Sequence, residues 1–75
     1  MITLDILPLG HSCRVSDLSA QGHLRQRFFD LGIIRDTEIK ALFESPAGDP
    51  RAYSVRGATI ALRNFDAHKI IVKTI

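Results

Sequence analysis

One segment, residues 24–32, constrains the fold of this chain more than any other because its apolar residues follow a helical period. These residues fall at positions i, i+4 and i+7, which places Leu24, Phe28 and Leu31 on one stripe of a helix. Phe29 widens the stripe, and polar or charged side chains occupy most of the remaining helix surface. Most of the remaining chain has the patterns of strands and turns, so the sequence predicts one helix on a small β-structure.

Residues typical of helix ends stand at both ends of this segment. Gly32 follows the last stripe residue and suits the left-handed position just beyond a helix, with Ile33 placed to fold back on Phe28. At the other end, Ser19 is the predicted N-cap because its hydroxyl can accept a hydrogen bond from an N–H group of the first turn. The helix is therefore expected to begin soon after Ser19 and to stop before Gly32.

Alternation and short apolar runs predict five strands. The strands cover residues 12–18, 37–43, 51–55, 58–62 and 70–72. In the second strand the alternation places Phe43 on the same face as Ile39. Antiparallel strands this short favour a small closed barrel, since closure removes the exposed edges. The predicted fold is therefore all-β in the main, with about five antiparallel strands and one inserted helix.

Turn residues separate the predicted strands. The positions assigned to structural turns are Gly32, Gly48, Asp49, Pro50 and Gly57. Pro8 and Gly10 predict a type I turn over residues 7–10, and residues 2–7 before it are left open between a strand and a helical turn. Asn64 is the predicted cap of a single helical turn that precedes the last strand.

Length and composition indicate one domain, residues 1–75, with a globular balance of 45% hydrophobic and 24% charged residues. The formal net charge is only +2, and the arginines are scattered, so nucleic acid is not an expected partner. Most arginines are expected on solvated faces. The single cysteine, Cys13, and the lack of a leader or of an apolar run of about 18 residues predict a cytoplasmic protein that does not insert into membranes.

The chain carries no motif for catalysis. It has no G-x-x-x-x-G-K-[ST], no G-x-G-x-x-G and no C-x-x-C, so nucleotide chemistry and zinc fingers lack their minimum residues. His11 and Cys13 could share a strand face, yet no third group is available to orient them. The sequence therefore predicts a protein that is not an enzyme.

Metal ligands are not grouped in the sequence either. His11, His23 and His68 are each far from a second ligand at helical spacing. The carboxylates that could bind Fe(II) fall in separate elements; they are Asp17, Glu44, Asp49 and Asp66. No metal site and no cofactor are predicted, and Fe(II) binding is left open.

The helix is the predicted partner surface, because one helix of so small a protein cannot easily hide both of its phenylalanines. The assigned contact residues are Leu24, Arg27, Phe28 and Leu31. We expect the side of the stripe around Leu24 and Phe28, with Arg27 at its rim, to lie near water.

Three stretches in order carry a resemblance to a known family: R-Q-R-F-F-D-L-G-I from Arg25, S-P-A-G-D-P from Ser45, and V-R-G-A-T-I-A-L-R from Val55. Together they resemble the FeoA family of ferrous iron transport proteins. The resemblance implies an SH3-like β-barrel with an inserted helix, no enzymatic activity, a cytoplasmic location, and action on FeoB, the membrane Fe(II) permease that carries a GTPase domain. Self-association is left open.

The resemblance also assigns family positions. Matching residues are Arg27, Leu31 and Gly32 at the helix end, Gly48, Asp49 and Pro50 in the hairpin loop, and Arg56, Gly57, Leu62 and Arg63 in the later strands. Where the family has Pro-Gly, this chain has Arg35-Asp36, and aspartate tolerates the left-handed region of such a turn. Two alternatives use similar barrels: the SH3-like domain of DtxR-type iron-dependent regulators, and RNA-binding barrels of the Sm or KOW kind.

Overall fold

Six antiparallel strands form one sheet in the computed structural model, which describes residues 1–75. The strands are β1 (Ile2–Thr3), β2 (Ser12–Leu18), β3 (Glu38–Glu44), β4 (Arg51–Val55), β5 (Ala58–Leu62) and β6 (Ile70–Thr74). The helical elements are a 3₁₀ turn (Leu4–Ile6), α1 (Gly22–Asp30) and α2 (Asn64–Ala67). The order in the sheet is β1-β6-β2-β3-β4-β5. The predicted mainly β fold with one inserted helix is confirmed, with six strands where about five were expected.

The additional strand comes from the first residues of the chain. Ile2 and Thr3 pair with β6, and the chain then makes the 3₁₀ turn. Residues 2–7, which the sequence left open between a strand and a helical turn, therefore contain both. The type I turn over residues 7–10 is wrong. The N–H of His11 donates to the carbonyl of Pro8 at 3.1 Å, and Gly10 lies at the third position of this turn with a φ of +85°. A positive φ at the third position is the requirement of a type II turn, one residue later than predicted.

Helix α1 ends as the sequence predicted. The N–H of Ile33 donates to the carbonyl of Phe28 at 2.8 Å, and the N–H of Gly32 donates to that of Phe29 at 3.0 Å. With Gly32 at a φ of +84°, these two bonds form a Schellman motif. No helix of the protein is both long enough and apolar enough to cross a membrane.

The start of α1 differs from the prediction. Its N-cap position is Gln21, whose side chain makes no capping bond, and not Ser19. The Ser19 hydroxyl instead donates to the carbonyl of Lys69 at 3.2 Å, beside a backbone bond between the same two residues. Ser19 therefore fastens the end of β2 to the start of β6, a contact that local sequence does not reveal.

A bulge in β3 explains why the prediction for Phe43 is wrong. The register against β4 shifts between Ala41 and Phe43, so the alternation that buries Ile39 and Ala41 does not continue. Phe43 is 59% exposed. A second bulge in β2, between Val15 and Asp17, lets Val15 and Leu18 both face the core, although they are three positions apart.

The hairpin loop between β3 and β4 supports α2. The N–H of Asn64 donates to Asp49 Oδ1 at 2.9 Å, and Asn64 Nδ2 donates to the carbonyl of Gly48 at 3.0 Å. The N-cap position is Arg63, so the prediction that Asn64 caps this turn is wrong. The first N–H group of α2 has no acceptor within the helix, and the carboxylate of Asp49 in the hairpin loop accepts its hydrogen bond instead.

Side chains from the strands, the 3₁₀ turn, both helices and the segments between them form one hydrophobic core of 16 buried residues. It includes Leu4 and Leu7 from the first segment, Phe28 from α1 and Tyr53 from β4. Residues from nearly every element therefore meet in the core, which fixes the position of α1 and of the surface beside it.

Candidate partner-binding surface

Helix α1 divides its two phenylalanines between the core and the surface. Phe28 is fully buried, so the expectation that its ring lies near water is wrong. Leu24 and Leu31 are half-buried and pack against the core, while Arg27 is exposed. Phe28 lies at the centre of the stripe, whereas the two leucines flank it toward the helix ends, which leaves only their edges to contact a partner.

Phe29 is the exposed aromatic residue of α1, at 40%. The guanidinium of Arg25 lies 5.1 Å from the centre of its ring, which is the geometry of a cation–π contact. Arg25 Nη1 also lies 3.4 Å from the carbonyl oxygen of Leu18, to which it donates. These two contacts hold Arg25 against the side of α1 and leave the ring of Phe29 partly open.

An open pocket of about 290 Å³ lies beside this ring. Its lining consists of Asp17, Leu18, Arg25, Phe29, Ile34 and Arg35, and we refer to it as the apolar pocket. Ile34 is 40% exposed in the loop after α1. The sequence prediction missed this pocket, although two adjacent phenylalanines on one helix were the signal that one of them must be exposed.

A second depression, of about 540 Å³, adjoins the apolar pocket and shares Arg35 with it. Its charged lining residues are Arg14, Arg35, Asp36 and Lys73, and we refer to it as the cationic groove. Asp36 has a φ of +72°, so it occupies the left-handed turn position that the sequence assigned to it. A third, wholly polar depression of about 460 Å³ lies on the far side of Asp36, against β3 and β4.

Other assigned residues lie in turns away from this surface. Gly48 and Gly57 have φ values of +86° and +82° in the two hairpin loops. Arg56 also has a positive φ, of +51°, so the turn between β4 and β5 has the two left-handed residues of type I′. Asp49 and Pro50 complete the loop that supports α2.

The cysteine and histidines are not arranged for chemistry. Cys13 is fully buried, and burial raises the pKa of its thiol from 9.0 to about 11, which keeps it protonated and unreactive at neutral pH. His11 is exposed and precedes the strand, so the two do not form a pair.

The three histidines do not form a metal site. His68 Nδ1 lies 3.2 Å from Asp5 Oδ2, whereas His23 is an exposed residue of α1. No group of three or more His, Cys, Asp or Glu side chains is placed to hold a metal ion.

Arg51 is another residue that the sequence prediction misplaced. It is 5% exposed, although arginines were expected on solvated faces. Its guanidinium donates to the carbonyls of Asp5 and Leu7, the latter at 2.6 Å. A signal was present, because Arg51 opens a strand whose other residues are apolar or small. Its role is structural, since it lies in the interior and not on the surface beside α1.

Comparison with known proteins bears on the identity of the chain. The model of the FeoA domain family matches residues 2–74, whereas no curated protein matches in sequence. A FeoA-like protein from Clostridium acetobutylicum is 31% identical, with a TM-score of 0.90 over 99% of this chain and 86% of that chain.

Two further structures place the fold. Stenotrophomonas maltophilia FeoA, an SH3 domain protein complexed with zinc, is 27% identical, with a TM-score of 0.85 over 97% of this chain and 91% of that one. A manganese-dependent transcriptional repressor with bound manganese is 22% identical, with a TM-score of 0.89 over 99% of this chain and 36% of that one, and so shares the fold alone. With a family match across residues 2–74 and an SH3-like fold in common, the chain belongs to the FeoA domain family.

Proposed function

We propose that this protein is a cytoplasmic, non-enzymatic accessory protein of bacterial ferrous iron uptake that binds FeoB and modulates its transport or GTP turnover. The observation that carries the proposal is the family match over residues 2–74. The Stenotrophomonas maltophilia relative is described as a candidate activating factor of bacterial ferrous iron transport, which supports the same role. A protein with this role acts through its surface, because it recognises a partner and does not transform a substrate.

Helix α1 is the proposed contact with FeoB. Leu24 and Leu31 expose part of their side chains beside Arg27, which gives an apolar edge next to arginine, a residue enriched at protein interfaces. Phe28 supports this surface from the core, where it positions the helix. Its truncation to alanine is expected to cost about 3–5 kcal/mol of stability, so a loss of binding in that variant would report unfolding.

The test compares Leu24→Gln and Arg27→Glu with the unchanged protein. Both positions retain contact with water, so we expect the variants to fold, with unchanged circular dichroism spectra. Capture of FeoB from detergent-solubilised membranes should fall by about tenfold or more, and ferrous iron uptake in cells should fall with it. Arg63→Glu, a charge reversal at an exposed position before α2, is the matched control and should capture FeoB normally.

Two results would contradict parts of the proposal. If the unchanged protein captured no FeoB, the proposed function would be wrong. If folded Leu24→Gln and Arg27→Glu variants both captured FeoB at the unchanged level, the function would stand and the contact would lie elsewhere.

A further inference from the structure

Three basic side chains line the cationic groove, and only one of them, Arg14, has an acidic partner. Arg14 and Lys73 lie directly opposite each other on β2 and β6, and like charges in such a pair repel each other. Arg14 has one carboxylate nearby, that of Glu38 at 4.0 Å, and both side chains are exposed. No carboxylate lies within 4 Å of the charged groups of Lys73 or Arg35. The groove is therefore ready to accept negative charge.

The apolar pocket extends this groove on the side of α1. Its apolar wall consists of Leu18, Phe29 and Ile34, and Arg25 is held in place above the ring of Phe29. Arg35 belongs to both depressions. Taken together, four basic and two acidic side chains line the continuous surface; they are Arg14, Arg25, Arg35, Lys73, Asp17 and Asp36. Its excess of positive charge equals the formal net charge of the whole chain, +2.

We propose that this continuous surface binds an acidic segment of a partner protein, with one apolar side chain of that segment in the apolar pocket and its carboxylates in the cationic groove. The inference deepens the proposed function and rests on it, because it assigns the chemistry of the segment by which the partner is recognised. Carboxylates on Arg14, Arg35 and Lys73 would relieve the repulsion between neighbouring cations. The pocket of about 290 Å³ has room for one large apolar side chain.

A protein segment fits this surface better than an anionic membrane. Lipid headgroups would meet a flat or protruding basic cluster, whereas these side chains line depressions. Asp17 and Asp36 interrupt the basic side chains, and four basic residues beside two carboxylates make a weak attraction for a uniformly negative surface. A peptide can place individual carboxylates at the basic positions and avoid the acidic ones.

This surface lies on the opposite flank of α1 from the part of the FeoB contact proposed around Arg27. Arg27 and Phe29 lie one position to either side of Phe28, so they project about 100° to each side of the buried ring. Arg27 is on one flank of α1 and Phe29 on the other. Variants on the two flanks can therefore be tested separately.

The experiment uses the full chain, labelled with ¹⁵N and with ¹³C-methyl isoleucine, and a synthetic acidic peptide, acetyl-EDLDE-amide. We expect saturable shift changes at Phe29, Ile34 and Arg35, at low salt, with weaker binding as salt rises. The peptide acetyl-EDADE-amide tests the apolar anchor and should bind at least about threefold more weakly. The basic peptide acetyl-KRLRK-amide should cause no changes at these residues.

Variants then locate the site. Arg35→Glu should weaken binding of the acidic peptide by about tenfold or more, because Arg35 belongs to both depressions. Ile34→Ser removes one apolar wall and should weaken binding of the leucine peptide toward that of the alanine peptide. Arg63→Glu, a charge reversal at an exposed position that lines neither depression, is the matched control and should change the affinity little.

Three outcomes would overturn the inference: equal binding of the basic peptide, shift changes located away from this surface, or stronger changes with vesicles of equal parts phosphatidylglycerol and phosphatidylcholine than with the peptide. The last outcome would assign the surface to a membrane.

Capture of FeoB separates this inference from the proposed function. If the Arg35→Glu variant captures FeoB as well as the unchanged protein does, the cationic groove is not a contact for FeoB, while the proposed function stands. If the unchanged protein captures no FeoB, the proposed function is wrong, whatever the peptide experiments show.

Discussion

Arg51 is the one charged residue of the chain that is buried. Its guanidinium binds the carbonyls of Asp5 and Leu7, lies 5.7 Å from the centre of the Tyr53 ring, and has Nε 3.6 Å from Glu44 Oε2. A buried arginine is favourable only where its N–H groups have acceptors. Two of its N–H groups bind the first segment of the chain and so attach that segment to β4.

Replacement of this residue should therefore be costly. In Arg51→Met, the carbonyls of Asp5 and Leu7 lose their donors, so we expect the free energy of unfolding in urea to fall by about 3 kcal/mol. Arg14→Met is the control, since the side chains of Arg14 and its partner Glu38 are 56% and 59% exposed and their ion pair should contribute about 1 kcal/mol or less. Equal urea midpoints for Arg51→Met and the unchanged protein would show that the two carbonyls are satisfied in another way.

Among the elements, the end of α1 is the most tightly specified. Gly32 takes a left-handed conformation, and a Cβ built at this position would lie 2.7 Å from Arg56 Cδ. Two separate causes thus oppose any other residue: backbone strain and contact with a side chain from the β4–β5 turn. The end of α1 and that turn therefore meet at Gly32.

A double-mutant cycle separates the two causes. Gly32→Ala should lower the stability measured in guanidinium chloride by about 2 kcal/mol, of which about 1 kcal/mol is backbone strain. In an Arg56→Ala background, the contact is absent, and the cost of Gly32→Ala should fall to about 1 kcal/mol. An identical cost in both backgrounds would mean that Arg56 moves aside without penalty.

The elements also show which features a sequence can predict. The end of α1 was predictable because Gly32 and Ile33 act on residues a few positions away. The exposure of Phe43 was not, because the bulge before it depends on pairing with β4. The burial of Arg51 had only a partial signal in the apolar and small residues that follow it, because its acceptors lie more than 40 positions away. The sequence indicated that α1 cannot hide both of its phenylalanines, and one of them is exposed, but only packing decides that Phe28 is buried and Phe29 exposed. The assignment of α1 as the partner surface stays a prediction.

At the scale of the whole molecule, the fold does not determine the activity. The same SH3-like architecture occurs in a manganese-dependent repressor and in a FeoA solved with zinc, so metal binding has to be tested for this chain. His68 and Asp5 are adjacent, yet they supply only two ligands, whereas a zinc site uses three or four protein ligands.

We therefore expect Zn²⁺ to bind this protein weakly. Calorimetric titration should show no saturation at one equivalent, and the thermal midpoint should stay unchanged with excess Zn²⁺. His68→Ala is the control for the one adjacent pair and should behave as the unchanged protein does. One equivalent bound tightly, with a raised thermal midpoint that His68→Ala abolishes, would contradict this expectation and identify His68 as a ligand.

The pairing of β1 with β6 has a consequence for the order in which the protein folds. Ile2 pairs with Val72, and β6 lies between β1 and β2, so the sheet is incomplete until β6 has been synthesised. A nascent chain that stops before β6 leaves Ile2 and Thr3 without a partner strand and leaves β2 with an open edge, which is a template for aggregation. Contacts across such long sequence separations also fold slowly. The sheet of this protein is therefore completed only when β6 becomes available to β1 and β2.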